Sequence, residues 1–345
     1  MNQYCIKLIS IFLILNLELF AQTSTYQIST IAFYNVENLF DSINDKNTYD
    51  GDYTPTGKKL WTNERLNTKL DHLSYAISQI GLKETEKAPA IIGLAEIENK
   101  EVLLRLIAQK HLTTTDYDIA HFNSPDKRGI DVSLLYDRNR FKLTNSQKHV
   151  LLLKDCDGNR VFTRDQLCVS GFLGSDLMYF VVNHWPSRRG GEKRSRSKRV
   201  QAAKLCLKIT DSIYAITPKA NIVLLGDFND DPTDSSFKKV LKTKSSKTYK
   251  SSNHFYYNPM EKMKKLGYGT LAYRDKWNIF DQLLFSNALL DSNGVKLYKT
   301  AIFKPKYLIE SKGKYKGYPK RTNLNEVGYS DHFPVYSFLI KRIYK

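Results

Sequence analysis

The sequence predicts an α/β fold in which two β-sheets pack face to face with helices outside. Two observations carry this. Apolar, β-branched runs recur along the chain, from Ile31-Ala32-Phe33-Tyr34 to Pro334-Val335-Tyr336-Ser337-Phe338, and only a few segments repeat their apolar residues at helical spacing. Several of the runs also end or begin on Asp, Asn, Glu or His, which gathers polar chemistry at strand ends.

Taken in order, strand Thr30–Tyr34 leads into a polar loop, Asp41 to Thr62. A helix follows over Asn63–Ile80, where Leu66, Leu70, Leu73, Ala76, Ile77 and Ile80 share one face. Strand Ala90–Ala95 is apolar on both faces, and helix Glu101–Gln109 follows it. Strands are expected near Asp118–Phe122, Ile130–Tyr136 and Lys148–Lys154, then a hairpin over Phe162–Leu173 and a strand over Leu177–Asn183. Helix Ser197–Tyr214 carries Val200, Ala203, Leu207 and Ile213 on one side. Strand Asn221–Leu225, a Lys/Ser-rich stretch Lys238–Ser252, and strands around Thr270–Tyr273, Asp281–Phe285 and Val335–Ile340 complete the order.

A chain of 345 residues could hold one large domain or two small ones. No fixed-period repeat and no Pro/Gly-rich linker divides it. The first 21 residues read as a cleaved secretory signal peptide: Lys7 precedes the apolar stretch Leu8–Leu17, and Ala21 is a small residue at the cleavage point. Asn16 and Glu18 leave that stretch short of the roughly 20 apolar residues of a membrane span, so no transmembrane anchor is expected. Residues 22–345 then form a single catalytic domain, exported to the periplasm or beyond.

The exported part keeps Cys156, Cys168 and Cys206. Cys156 and Cys168 flank a turn at Asp157-Gly158-Asn159, and an oxidising compartment permits their pairing; two free thiols on neighbouring strands are the alternative. Cys206 sits on an apolar helical pattern as a small hydrophobe. None has metal-site spacing.

Against 35 acidic residues stand 53 Lys and Arg, a net charge of +18. Such a field draws polyanions. Arg188, Arg189, Lys193, Arg194, Arg196, Lys198 and Arg199 follow His184 directly, which places basic charge beside a candidate catalytic imidazole.

The polar strand ends form an ordered set. Ile31-Ala32-Phe33-Tyr34-Asn35 delivers Asn35; Ile91-Ile92-Gly93-Leu94-Ala95-Glu96 delivers Glu96; Phe180-Val181-Val182-Asn183-His184 delivers Asn183 and His184. Ile222-Val223-Leu224-Leu225-Gly226-Asp227-Phe228-Asn229 brings Asp227 and Asn229, Phe280-Asp281-Gln282-Leu283 brings Asp281, and Ser330-Asp331-His332 precedes the last strand. Phosphate-ester hydrolysis needs such a kit: oxygen ligands for a divalent cation, a base for water, and donors for the phosphoryl oxygens.

These six signatures, in this order, resemble the endonuclease/exonuclease/phosphatase superfamily, and the resemblance spans about Ile28 to Ile340. The run Asn183-His184-Trp185-Pro186-Ser187-Arg188, continued by Arg189-Gly190-Gly191-Glu192, is similar to its secreted bacterial branch. The resemblance implies a four-layer α/β/β/α sandwich with two packed mixed sheets. It also implies Glu96 as principal metal ligand, with Asn35 and Asp331 beside the metal, which hard oxygen donors suit to Mg²⁺ or Mn²⁺, with Ca²⁺ a further option. Asp227 is implied as base or water-positioner, Asn229 as phosphate contact, His184 as general acid or phosphate donor, and Asp281 as the carboxylate that fixes the His332 tautomer. Asn183, Arg188 and Arg164 are expected to touch substrate; for Arg164, a surface ion pair with Asp165 is the competing reading.

The implied activity is that of a metal-dependent phosphodiesterase on nucleic acid, DNA ahead of RNA, acting as a monomeric endonuclease. A phosphatase or a sphingomyelinase-type phospholipase would share the site and differ in its walls. A non-catalytic polyanion binder ranks third, because every ligand position is filled.

Overall fold

The computed structural model describes residues 25–249, 254–290 and 293–343; residues 1–21, expected to be a signal peptide, and the end of the Lys/Ser-rich stretch lie outside them. The first sheet holds β1 (Thr25–Leu39), β2 (Ile91–Ile97), β3 (Tyr117–His121), β4 (Asp131–Asp137), β15 (Lys296–Ile302) and β16 (Val335–Ile343), in the order β15-β16-β1-β2-β4-β3. The second holds β5 (Phe141–His149), β8 (Gln166–Leu173), β9 (Asp176–His184), β10 (Asn221–Asp227), β11 (Tyr256–Tyr257) and β14 (Asp281–Ser286), in the order β11-β14-β10-β9-β8-β5. Each sheet is mixed, with one parallel pair, β1 with β2 and β10 with β9, amid antiparallel neighbours. Two small hairpins, β6 (Leu153–Lys154) with β7 (Arg160–Val161) and β12 (Leu271–Tyr273) with β13 (Lys276–Asn278), project from this frame.

Side chains alternate across each strand, and three apolar clusters follow. Ile31, Phe33, Val132 and Leu134 of the first sheet meet Val169, Phe180, Val182, Val223, Leu225 and Leu283 of the second. Ala32, Tyr34, Ile92 and Leu94 turn outward onto α1 (Asn63–Gln79) and α3 (Lys100–Ile107). Val181, Ile222, Leu224 and Leu284 turn outward onto α4 (Glu192–Ile216) through Ala202, Cys206 and Ile209. Each fully buried Leu, Ile or Phe contributes about 1.5–3 kcal/mol. The layers are therefore helix, sheet, sheet, helix, as expected. Short α2 (Leu82–Thr85) and α5 (Met260–Lys265) stand at the margins. No helix among the described residues is long and apolar enough to cross a membrane.

Several local expectations differ. The strand placed at Lys148–Lys154 is instead β5, Phe141–His149, an edge strand exposed along most of its length and so almost without an apolar signal. Leu151 and Leu153 pack instead into the cluster under α4. The hairpin expected over Phe162–Leu173 is the single strand β8, which turns at Gly174-Ser175 into β9. Helix α4 begins at Glu192, so most of the basic run lies on its first three turns. The Cys156–Cys168 pairing is corrected: all three described cysteines are free, Cys156 exposed in the β6–β7 turn and Cys168 inside a sheet between Gln147 and Val181.

Candidate active site

The second sheet aligns three functional side chains. In register, Asp227 lies between His184 on β9 and Asp281 on β14. All three share the phase of Phe180, Val182, Val223, Leu225, Leu283 and Phe285, so they face the inter-sheet space at the strand ends. Gly226 permits that row: a Cβ there would come 2.3 Å from the Asn183 carbonyl oxygen.

Two groups arrive from the first sheet. Asn35 shares the inward phase of Ile31 and Phe33, and its Nδ2 donates to Asp227 Oδ2 at 3.1 Å. Glu96 would follow Leu94 toward the helices, but a bulge intervenes: its φ is +66°, and the β2–β4 register shifts between Ala95 and Ile97. Ala95 faces the other sheet while Ile97 faces the helices, so the strand changes phase at Glu96. Glu37 and Asn38 on β1 also have φ of +53°, and the Asn38 amide donates to Glu96 Oε2 at 2.9 Å. Glu96 Oε1 is left 3.9 Å from His184 Nε2 and 3.8 Å from the Arg128 guanidinium.

The two histidines sit in opposite electrostatic settings. Burial alone would lower the pKa of His332, but the Asp281 carboxylate and its 2.7 Å bond to Nδ1, then Asp331 and Asp227, hold it well above its ordinary value. Burial, and next Arg164, Arg128 and His332, push His184 well below that value, and its Nδ1 is buried with no hydrogen-bond partner. Burial raises Asp227 to about 7; His332 opposes this, and Asp281 and Glu96 add to it. The site thus offers a cationic imidazole, a neutral one, and a carboxyl group poised near neutrality.

Asn229 and Asp331 reach the same cleft from bends outside the strands. Asn229 does not continue an extended strand beside Asp227; its φ is +50°, its amide N–H donates to Asp227 Oδ1, and its Nδ2 donates to the Trp185 carbonyl. Asp331 Oδ1 lies 3.8 Å from His332 Nε2, and its Oδ2 faces Arg321 at 3.5 Å. Ser330 Oγ fixes the loop by donating to the Asn35 carbonyl at 2.6 Å.

Three expected substrate contacts are engaged within the protein, although Arg164 also lines the basic cleft described below. Asn183 alternates with His184 and so enters the α4 core, donating to the Val181 carbonyl and accepting from Trp185 Nε1 and Cys206 Sγ. Arg188 lies over the Phe280 ring at 4.5 Å and is engaged by the Asn229 carbonyl and Asp234. Arg164 is buried, pairing not with Asp165 but with Asp126 at 2.9 Å and donating to the Trp185 carbonyl. These arginines shape the loops that carry Asn229 and Trp185.

Sequence reasoning missed the acidic partners. Asp230 is fully buried, with Arg199 Nε at 2.5 Å and Ser236 Oγ at 2.7 Å. Glu37 is buried against Lys69 and Arg321, and receives the Thr322 amide. Lys127, Arg128, Arg189, Arg194 and Lys198, with the Arg164–Asp126 pair, line an open cleft of about 670 Å³ that has Phe162 and Ser187 on its walls. Arg128 joins this cleft to Glu96.

A cation suits the donor set. Asp281 Oδ1 is buried and has no hydrogen-bond partner, and Asp227 carries the repulsion of Asp281 and Glu96. Asp227, Asp281 and His332 bring one ligand atom each within 4.8 Å of one another. The His332–Asp281 bond engages facing atoms of that group, whereas Glu96 Oε1 has no close donor, so hard oxygen chemistry converges from both sheets.

The profile of the Endonuclease/Exonuclease/phosphatase family matches residues 30–341. Nocturnin of Xenopus laevis is 32% identical over 126 residues, covering 35% of this chain and 29% of that protein, so the match spans less than a third of the curated relative. Among solved structures, TDP2 from C. elegans superposes with a TM-score of 0.55 at 14% identity, over 90% of this chain and 75% of that one. D. rerio TDP2 complexed with single-strand DNA product gives 0.52 at 14% identity, over 90% and 98%. The Bacteroides thetaiotaomicron mannosyl-6-phosphatase Bt3783 gives 0.51 at 15% identity, over 92% and 100%. At such identities the likeness concerns the fold. The family profile, covering almost every described residue, shows that this chain belongs to the endonuclease/exonuclease/phosphatase family of phosphate-ester hydrolases.

Proposed function

We propose that this chain is an exported, divalent-cation-dependent phosphodiesterase that cuts nucleic acid internally, with DNA ahead of RNA. The observation that carries this reading is the open basic cleft running from Arg128 beside Glu96 to Arg189, just before α4, and Arg194 and Lys198 on α4. A small phosphomonoester needs one anion pocket, whereas a row of cations beside an open site fits a phosphate backbone. A protein of the same fold, D. rerio TDP2, has been captured with a single-strand DNA product, which supports the substrate class.

In this reading Asp227 takes a proton from the attacking water, whose oxygen bonds to phosphorus as the ester P–O bond breaks. His332, cationic through Asp281, donates an Nε2 hydrogen bond to the phosphoryl group as its charge grows, and neutral His184 donates from the facing side. Asn35 orients Asp227, and Asn229 holds a phosphoryl oxygen. Glu96, with Asn35 and Asp331, would hold Mg²⁺ or Mn²⁺, which supplies charge neutralisation to the phosphoryl oxygens.

The test is incubation of the purified protein with supercoiled plasmid, RNA, sphingomyelin and a sugar phosphate, with Mg²⁺ and then EDTA. Nicking lost on chelation is expected. Turnover of the sugar phosphate or sphingomyelin without nicking would move the assignment to the phosphatase or phospholipase class.

A further inference from the structure

The row His184, Asp227, Asp281 has two flanks. Beyond His184 lies the basic cleft. Beyond Asp281, hairpin β12–β13 leads into β14, and residues 303–334 join β15 to β16, so both sheets send a connection to this second flank, on the His332 side. The two connections are locked together. The two-residue β12–β13 turn holds Arg274 and Asp275 at φ of +50° and +62°, a left-handed pair that hairpins ordinarily reserve for Asn-Gly or Asp-Gly. Such a turn persists where its surroundings fix it. Tyr318 does so: its hydroxyl accepts from the Asp275 amide at 2.8 Å and donates to Asp275 Oδ1 at 2.6 Å.

An aromatic ladder runs outward from the His332 loop. Phe333 stacks on Trp277 with centroids 6.1 Å apart and 9° between the planes. Trp277 meets Tyr318 edge-on at 5.8 Å, and Tyr318 meets Tyr315 at 5.7 Å. The outer rings are bare: Tyr315 is 50% exposed, and Tyr273, beside the hairpin turn, 63%. Each already carries a cation, with the Arg274 guanidinium over Tyr273 at 5.3 Å and Lys314 Nζ over Tyr315 at 5.9 Å. Lys312, Lys314 and Lys316 alternate with Gly313, Tyr315 and Gly317, all exposed. Between Lys304 and Lys320 six lysines face one acidic residue, Glu310.

Exposed rings offer flat faces, and the cations between them attract anions. An unpaired nucleic-acid strand supplies both, base and phosphate in alternation. A duplex keeps its base faces inside the stack, and a lone phosphate has none. We propose that Tyr273 and Tyr315, held in place by Tyr318 and flanked by Arg274 and the three lysines, form a base-stacking rim for single-stranded nucleic acid on the Asp281 side of the site. Resting on the nucleic-acid reading above, this rim narrows its substrate class. The strand is gripped by its backbone in the Arg128 cleft and by its bases on the rim, with the scissile phosphate between them, and it must be unpaired where it crosses the rim.

Binding is measured in EDTA, so that nothing is cut, by anisotropy of labelled oligomers of about 12 units: oligo-dT, an abasic oligomer of the same length and charge, and a duplex. The full chain is expected to bind oligo-dT at least about tenfold more tightly than the abasic oligomer, and more tightly than the duplex. Oligo-dT is also expected to quench tryptophan fluorescence through Trp277, since Trp61 and Trp185 are buried. Tyr273→Ala/Tyr315→Ala is expected to bind oligo-dT no better than the abasic oligomer, while Tyr273→Phe/Tyr315→Phe, which keeps both rings, retains the preference. Equal affinity of wild type for the two oligomers overturns the rim, as does a preference that survives in the double Ala variant or is lost in the double Phe variant. Displacement of oligo-dT by an uncharged oligosaccharide at equal concentration would make the rim a sugar surface and overturns it as well. The two readings fail separately: DNA cut without base-dependent binding removes the rim alone, and base-dependent binding without cutting of any nucleic acid upholds the rim and removes the nuclease.

Discussion

His332 Nδ1 and Asp281 Oδ2 stand 2.7 Å apart in the interior, while His184, facing the same cleft, has no partner on its own Nδ1. One carboxylate therefore separates two imidazoles into a cation and a neutral ring. Replacing Asp281 by Asn keeps the shape and removes the charge. The His332 titration, followed by NMR of its ring protons, is expected to move down, and kcat to fall about 10²–10⁴-fold. A His332 titration unchanged in Asp281→Asn would remove the asymmetry on which the proposed roles rest.

Glu96→Ala and Asp227→Ala are each expected to abolish turnover with circular dichroism nearly unchanged. Both carboxylates contribute to the cleft rather than to the apolar layers. The loss should fall on kcat rather than on binding. Activity above about a tenth of wild type in either variant contradicts its role.

Asp227 also predicts a pH dependence of stability in the cation-free protein. Its folded pKa, about 7, lies above the unfolded value, so its contribution is fully present below the unfolded value of about 4 and is lost as pH rises through 7. In EDTA, urea midpoints should fall across that window by the equivalent of a few kcal/mol. Asp227→Asn should flatten the slope, and Mg²⁺ should flatten it in wild type by stabilising the carboxylate. An equal slope in Asp227→Asn assigns the titration to other groups.

The basic run divides into two kinds of charge. Arg199 is buried against Asp230, so Arg199→Ala leaves an uncompensated carboxylate and is expected to cost about 3–5 kcal/mol in urea unfolding. Arg189, Arg194 and Lys198 line the cleft. Neutralising these three should leave stability within about 0.5 kcal/mol, raise KM for long DNA and reduce its salt slope, with little effect on a small phosphodiester. Equal KM for long DNA at low salt would mark the cleft charges as solvated surface.

The division between readable and hidden features has a physical origin. Apolar runs ending in Asn35, Glu96, His184 and Asp227, and the one opening on Asp281, announced the strands and the edge they share, because alternation and burial are local properties. The same alternation excludes Asn183 from the cleft, since neighbours on a strand face opposite ways. Edge strand β5 was hidden, because Lys142 to Lys148 carries a single apolar residue, Leu143. The fates of Arg188, Arg164 and Arg199 depend on Asp234, Asp126 and Asp230, contacts closed only by tertiary folding. The bulge that turns Glu96 inward is set by backbone conformation at three non-glycine residues, for which no local pattern exists.

Strand β16 lies inside the first sheet, between β15 and β1, although it is the last strand in chain order among the described residues. During synthesis β1 must therefore wait some three hundred residues for its antiparallel neighbour, with an open edge on that side. His332 and Asp331 arrive with that neighbour, and Asp281 has no imidazole to charge until then. A nascent chain can collect phosphate on its cations long before it can hydrolyse an ester. Phosphate-ester hydrolysis is thus deferred by the order of the strands, and begins only when the sheet is sealed.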